Sequence, residues 1–225
     1  IDVQLGFGLY SYFIEVIPER YPLMKPLMVF FPDGDRQKGI EQLTLTATEG
    51  RYAKFEAQNF LMQLYDQFEN NPYKAEEYAK MLNEKFPNNP NFERYRGRIA
   101  IRRGDSYFAF NVFQNIYSKV ENEVFGYTDK VEREATYYIG LHYRNIGNFD
   151  SAKVYFELSE NLSLKLDKKR ESGFLINTVL YLGMIYDVFG ERSKARKYYE
   201  RVLDMREFGQ SHVMAKQYLE TPFRQ

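Results

Sequence analysis

The sequence predicts an all-α fold, a right-handed superhelical solenoid of antiparallel helix pairs. The prediction rests on an internal repeat of small and aromatic residues at a constant offset of 43 residues, and on the residue type at each recurring position. A fixed period is typical of solenoids, because each helix pair buries its apolar face against the next pair. The four matching sets are Gly97, Gly140 and Gly183; Gly104, Gly147 and Gly190; Ala109, Ala152 and Ala195; and Phe113, Phe156 and Tyr199.

Each recurring position suits one place in a helix–turn–helix unit. The first glycine lies on a helix, where the missing side chain lets a neighbouring helix approach closely. The second glycine ends that helix, because a left-handed C-terminal cap favours glycine. The alanine follows five residues later on the second helix, and the aromatic residue four positions further on shares its face. Each unit is therefore predicted to be a hairpin with one apolar seam.

This arrangement resembles the tetratricopeptide repeat (TPR), which spaces a Leu-Gly pair, an aromatic, a turn glycine, an alanine and a second aromatic within about 34 residues. The matching segments are Leu182-Gly183, Tyr186, Gly190, Ala195 and Tyr199, and Ile139-Gly140, Tyr143, Gly147, Ala152 and Phe156. A third segment departs from the pattern, with Arg96 for the leucine and Ala100 for the first aromatic. The family's early tryptophan and closing proline are missing from all three. The resemblance implies a scaffold that binds other proteins.

The whole chain is predicted to form one domain, residues 1–225. Its predicted parts are an atypical N-terminal hairpin at 1–50 with an insertion at 17–34, repeats at 56–89, 90–132, 133–175 and 176–209, and a capping helix at 211–219. Within the N-terminal hairpin, Gly8-Leu9-Tyr10 and the run from Phe30 to Gly39 are also similar to a segment of another family. That family is the inclusion-body-clearance group of mitochondrial outer-membrane repeat proteins and their bacterial relatives.

Composition and motifs give no indication of an enzyme. Lys and Arg together number 31 and so do Asp and Glu, so no global field favours nucleic acid. The chain has no cysteine, and its two histidines, His142 and His212, have neither the spacing of a zinc site nor the partners of a catalytic triad. No glycine-rich phosphate loop is present. We therefore expect no cofactor, no metal, no nucleic-acid partner and no catalysis.

A partner segment is expected on the concave face, which the first helix of each pair lines in this architecture. Helical spacing places the following side chains there: Asn91, Arg94, Arg98 and Arg102; Tyr137, Leu141, Arg144 and Asn145; Tyr181 and Met184. The predicted groove is cationic in its middle. Its arginines are expected either to bind an acidic partner segment or a carboxylate, or to pair internally with Asp66 or Glu134, or to be solvated.

The apolar insertion at 21–31 leaves a second function open, that of a membrane-associated assembly or accessory factor. It is interrupted by Lys25 and Pro26 and is too short to span a bilayer, which needs about 20 apolar residues. It is expected either to pack over the end of the stack or to present Leu23, Met24, Met28 and Phe30 to a partner or lipid surface. Because the chain begins at Ile1, a removed targeting segment stays open, and with it a cytoplasmic or a bacterial periplasmic location.

Overall fold

A computed structural model describes residues 1–224, apart from the side chain of Met28, which was one of the residues predicted for the insertion surface. The described residues form helices and no strand, and consecutive helices pack in pairs. The helices are α1 (Gln4–Arg20), α2 (Lys25–Met28), α3 (Arg36–Glu49), α4 (Lys54–Gln67), α5 (Pro72–Lys85), α6 (Pro90–Arg102), α7 (Ser106–Glu121), α8 (Asp129–Asn145), α9 (Phe149–Leu166), α10 (Gly173–Val188), α11 (Arg192–Asp204) and α12 (Ser211–Glu220). The predicted all-α fold of helix pairs is confirmed.

The chain divides into two compact units, Ile1–Gly104 and Asp105–Gln225. The division falls between α6 and α7, inside the repeat predicted at 90–132. The single solenoid over 1–225, its repeat boundaries and its handedness stay predictions.

The repeated glycine–aromatic pairs form the seams of the 105–225 unit. A Cβ atom at Gly140 would lie 2.9 Å from the ring of Phe156, and one at Gly183 would lie 2.7 Å from the ring of Tyr199. Both rings are fully buried. The first helix of each hairpin therefore approaches the second through a position that has no side chain, as the sequence predicts.

The turn glycines end the first helices in the left-handed conformation. Gly147 and Gly190 have φ angles of 78° and 73°, which a residue with a Cβ adopts only with strain. The amide of Gly147 donates to the carbonyl of Arg144, and the next amide donates to the carbonyl of Tyr143. This is the predicted glycine cap of the helix end.

In the 1–104 unit, α1 and α3 pack through two glycines. A Cβ atom at Gly39 would lie 2.8 Å from the carbonyl oxygen of Gly8 and 2.7 Å from the amide nitrogen of Tyr12. The buried Tyr12 hydroxyl donates to Glu69 at 2.5 Å, and the guanidinium of Arg36 donates to both carboxylate oxygens of Glu69. Hydrogen bonds to Glu69 thus tie both helices to the end of α4.

The insertion between α1 and α3 is largely exposed. One of the two expectations was that the insertion packs over the end of the stack. Leu23 is 93% exposed and Phe30 is 84% exposed, so these two side chains do not pack in this way. The segment is fixed to α1 where Tyr10 donates to the carbonyl of Pro32 at 3.1 Å. No helix in the described part of the chain is long and apolar enough to cross a membrane.

Candidate partner-binding surface

The residues predicted to line the groove lie on three first helices. Asn91, Arg94, Arg98 and Arg102 lie on α6, in the 1–104 unit; Tyr137, Leu141, Arg144 and Asn145 lie on α8, and Tyr181 and Met184 on α10, in the 105–225 unit. The structure brings residues of α8 and α10 together within one unit.

On α6, Arg102 is engaged inside its own unit. Its Nη1 atom lies 2.8 Å from Oδ1 of the buried Asp66, and the same nitrogen donates to the Asp66 carbonyl. Its Nη2 atom donates to Oδ1 of Asn70 at 2.9 Å. Of the alternatives drawn from the sequence, internal pairing with Asp66 is therefore the one the structure has for Arg102.

The other two predicted arginines of α6 also make contacts along this helix. Arg94 donates to Oδ1 of Asn91 at 3.3 Å, and the guanidinium of Arg98 lies over the ring of Tyr95, 5.6 Å from its centre. Tyr95 is joined to α4, because Gln67 donates to its hydroxyl at 3.4 Å. Side-chain contacts within the unit hold this arginine run in place.

Aromatic contacts bring α8 and α10 together in the 105–225 unit. The ring of Tyr137 meets Phe174 edge-on at 5.1 Å and stacks with Tyr181 at 6.3 Å, and the amide of Asn177 donates to the Tyr137 hydroxyl at 3.3 Å. The guanidinium of Arg144 lies 4.4 Å from the centre of the Tyr181 ring. Tyr137 is only 7% exposed and belongs to the core, whereas Arg144 and Tyr181 are partly exposed. We call the surface of α8 and α10 around Arg144 and Tyr181, with Tyr137 packed against it, the first-helix face.

The hydroxyl of Tyr137 is protonated near neutral pH, as that of any tyrosine is, and burial raises its pKa further. A protonated hydroxyl can both donate and accept a hydrogen bond. The first-helix face therefore combines aromatic surface, a cation and neutral polar groups.

The remaining predicted residues differ in exposure. Asn145 is exposed and Leu141 is partly buried, whereas Met184 is only 1% exposed and belongs to the core. The cause is the environment of α10, which is buried around most of its circumference, so that helical spacing alone does not tell its groove side from its core side.

A cleft of about 380 Å³ opens at the N-terminal end of α10. It is lined by Arg133, Tyr137, Tyr138, Ser172, Gly173, Phe174, Asn177 and Phe208. The guanidinium of Arg133 lies over the ring of Phe174, 5.1 Å from its centre, and pairs with Asp167 at 2.8 Å. A side chain at Gly173 would clash with the ring of Phe208, so the ring can pack here only because residue 173 is a glycine.

Several lining residues were not among the predicted groove residues. Phe208 lies in the loop between α11 and α12, which is held over the cleft where Arg206 donates to the carbonyl of Glu171 at 2.8 Å. Helical spacing gives no information on a loop residue. The one signal in the sequence that could have indicated this contact is Gly173, because its missing side chain leaves the space in which Phe208 packs.

The cleft is lined by aromatic, cationic and neutral polar side chains. No group of three or more His, Cys, Asp or Glu side chains that could hold a metal ion occurs among residues 1–224. His142 stacks on Phe110 with ring centres 4.1 Å apart, and burial lowers its pKa. The cleft offers aromatic rings, a guanidinium and amide and hydroxyl groups to a bound side chain.

Comparisons with known proteins agree with this architecture. No protein-family model matches the chain, and no curated protein matches it. Among solved structures, a crystal structure of MamA, a TPR-like protein, superposes with a TM-score of 0.57 at 18% identity, over 81% of this chain and 91% of that one. A second MamA structure gives a TM-score of 0.54 at 18% identity, over 84% and 87% of the two chains.

The fold is TPR-like. At 18% identity, the likeness to MamA shows the fold alone. Neither comparison includes the inclusion-body-clearance family, so that similarity of the N-terminal segment stays a prediction.

Proposed function

We propose that this protein is a non-enzymatic scaffold or adaptor that binds a segment of a partner protein on the first-helix face of the 105–225 unit. The TPR-like fold supports a protein-interaction role. The observation that carries the proposal is the aromatic cleft beside this face, because buried aromatic and arginine side chains supply most of the binding energy at protein interfaces. No cofactor and no nucleic acid takes part.

The proposed ligand is an extended or helical peptide segment rather than a whole folded surface. The cleft volume of about 380 Å³ is near the lower end of the range for ligand pockets, about 300–1,000 Å³. One large side chain and its neighbouring backbone would fill it. Arg144, stacked on Tyr181, adds a cation that favours a carboxylate in the segment, which keeps an acidic partner among the proposals.

Selection from a random-peptide display library tests this function. Peptides selected on the wild type should bind the double variant Arg144→Glu/Phe208→Ser about tenfold or more weakly, as measured by fluorescence anisotropy. The matched control is Lys197→Glu/Val154→Ser, which makes the same types of change at exposed positions on α11 and α9. The control should bind as the wild type does.

Two results contradict the proposal. One is a library that yields no binder of the folded wild type. The other is a set of binders that tolerate the double variant while its circular dichroism spectrum and melting temperature match those of the wild type.

A membrane-associated assembly or accessory factor is the second proposed function. It is favoured by the exposure of Leu23 and Phe30 in the insertion. Flotation with liposomes should then carry the wild type upward and leave Leu23→Ser/Phe30→Ser at the bottom, with Phe125→Ser, a change of an exposed Phe in the other unit, as control. Equal flotation of all three proteins, or none at all, contradicts this function.

A further inference from the structure

The loop between α7 and α8 holds an aromatic side chain in solvent. Phe125 is 96% exposed. Two backbone hydrogen bonds hold the loop around it. The amide of Val124 donates to the carbonyl of Lys119 at 2.9 Å, and the amide of Tyr127 donates to the carbonyl of Val124 at 3.1 Å. Tyr127 is buried and Val124 is partly buried. Phe125 therefore stands at the tip of a turn anchored on both sides.

Two glutamates lie close to Phe125 in the sequence. Glu121 and Glu123 precede Phe125 by four and two residues, and both are exposed. The backbone of Glu123 has a φ of 51°, and Gly126 has a φ of 91°, so two left-handed residues shape the turn. We call this segment, residues 121–126, the acidic tip.

A second loop of the same unit has the opposite charge. Lys168, Lys169 and Arg170 are consecutive and exposed between α9 and α10. We call these three residues the basic rim. Ser172, a lining residue of the cleft, is two positions after Arg170, with only Glu171 between them, so their Cα atoms lie within about 7 Å.

Contacts at both ends fix the loop of the basic rim to the cleft. At one end, the two carboxylate oxygens of Asp167 accept from Arg133 and from the amide of Ser172, each at 2.8 Å. At the other end, the carbonyl of Glu171 accepts from Arg206, whose guanidinium lies over the ring of Phe208. The backbone that carries the basic rim is therefore held beside the aromatic cleft.

We propose that the cleft binds the acidic tip of a second copy of this chain. Phe125 would enter between the rings of Phe174 and Phe208, and the carboxylates of Glu121 and Glu123 would face the basic rim. Both halves of the contact are already in place in the folded chain, so little conformational entropy is lost on binding. Charge complementarity selects this occupant, because the acidic tip carries carboxylates beside Phe125 and the basic rim beside the cleft carries cations.

Self-association of this kind does not require the proposed function, although both use the same cleft. A partner segment and a second copy would compete for it. If two copies exchange tips with each other, the contact is reciprocal and closes as a dimer. If each copy gives its tip to one neighbour and receives the tip of another, the contact continues into a ring or a longer assembly.

Light scattering coupled to size exclusion, together with sedimentation velocity, tests the contact. The wild type should change from monomer to a larger species between about 1 µM and about 1 mM, with weaker association at high salt because the charged groups are exposed. Phe125→Ser should remain monomeric. Tyr52→Ser removes an exposed aromatic ring from the other unit, at a position with no proposed role, and should associate as the wild type does.

A charge exchange makes the test specific. One variant carries Glu121→Lys and Glu123→Lys, and a second carries Lys168→Glu, Lys169→Glu and Arg170→Glu. Each should be monomeric alone, because tip and rim then have like charges. Mixed, they should form a heteromeric complex, because each tip then meets a rim of opposite charge.

Three outcomes overturn the inference: a wild type that stays monomeric over the whole range, a Phe125→Ser variant that associates normally, or a mixture of the two charge variants that does not recover the complex. The peptide selection reads partner binding separately, so loss of self-association and loss of the proposed function are distinguishable. Unchanged melting temperatures of the surface variants show that folding is intact.

Discussion

The first helices of the two units carry arginines that serve different purposes. In the 1–104 unit, Arg102 pairs with the buried Asp66 and with Asn70, and so helps to hold α6 against the end of α4. In the 105–225 unit, Arg144 lies over the ring of Tyr181 on a surface next to an aromatic cleft. The comparison shows that an arginine on a predicted groove helix can be structural, and that its role depends on which residues the neighbouring helix offers.

The two units also solve close helix packing differently. In the 105–225 unit, a glycine of one helix faces a fully buried ring of the next, as Gly183 faces Tyr199. In the 1–104 unit, Gly39 of α3 faces the backbone of α1 at Gly8. The first arrangement recurs with the sequence period and the second does not.

The largest effect is expected from emptying a seam. Tyr199→Ala should lower the free energy of unfolding by about 3–5 kcal/mol, because a fully buried ring is lost and the cavity closes only in part. The hydroxyl also donates to Asp187 at 2.8 Å. Denaturant unfolding followed by circular dichroism measures the change. Tyr52→Ala, at an exposed position of the other unit, should change the value by less than about 0.5 kcal/mol. Similar costs for the two variants would contradict the seam.

Two helical glycines should respond to alanine with opposite signs. Gly183→Ala should destabilise the protein by about 1–3 kcal/mol, because its Cβ atom would meet the confined ring of Tyr199 at 2.7 Å. Gly6→Ala on α1 should stabilise it by about 0.5–1 kcal/mol, because that Cβ atom meets nothing within 4 Å and alanine favours the helix. A stabilising Gly183→Ala, seen in the same unfolding assay, would show that the ring can move.

The sequence predicts the fold better than the site because the fold is recorded in a local pattern. Gly140 and Phe156 lie on adjacent helices of one hairpin, so their contact follows from spacing along the chain. Tyr137 and Tyr181 were placed on neighbouring first helices by the same spacing, and they do stack.

The cleft depends on longer-range geometry, which spacing does not contain. Phe208 reaches it from a loop, and its position depends on the bond from Arg206 to the Glu171 carbonyl and on the missing side chain of Gly173. The basic run from Lys168 to Arg170 is recognisable as part of a binding surface only once the cleft beside it is known. Pairing of the groove arginines with Asp66 was one of the alternatives that the sequence left open, and the structure has it for Arg102.

A smaller effect separates the two arginines. Arg102→Met should lower the free energy of unfolding by about 1–2 kcal/mol, since it leaves the buried Asp66 carboxylate without its charged partner, while partial exposure of Arg102 moderates the loss. Arg144→Met should cost about 0.5–1 kcal/mol, the stabilisation expected of one cation–ring contact. The selected peptides should instead be weakened by Arg144→Met and unaffected by Arg102→Met. If both arginines affect stability and binding equally, the distinction between the two units is wrong.

The smallest expected effect is a pH dependence of the 105–225 unit. Burial against Phe110 lowers the pKa of His142, and its Nδ1 atom is buried with no hydrogen-bond partner among the described residues. Below the ordinary histidine pKa of about 6.5, the unfolded chain therefore binds more protons than the folded one, and stability falls as the pH falls. Between pH 7.5 and pH 5, the melting temperature of the wild type should drop by about 1–2 °C more than that of His142→Phe. A wild type whose melting temperature falls no further over this range than that of His142→Phe would contradict the prediction.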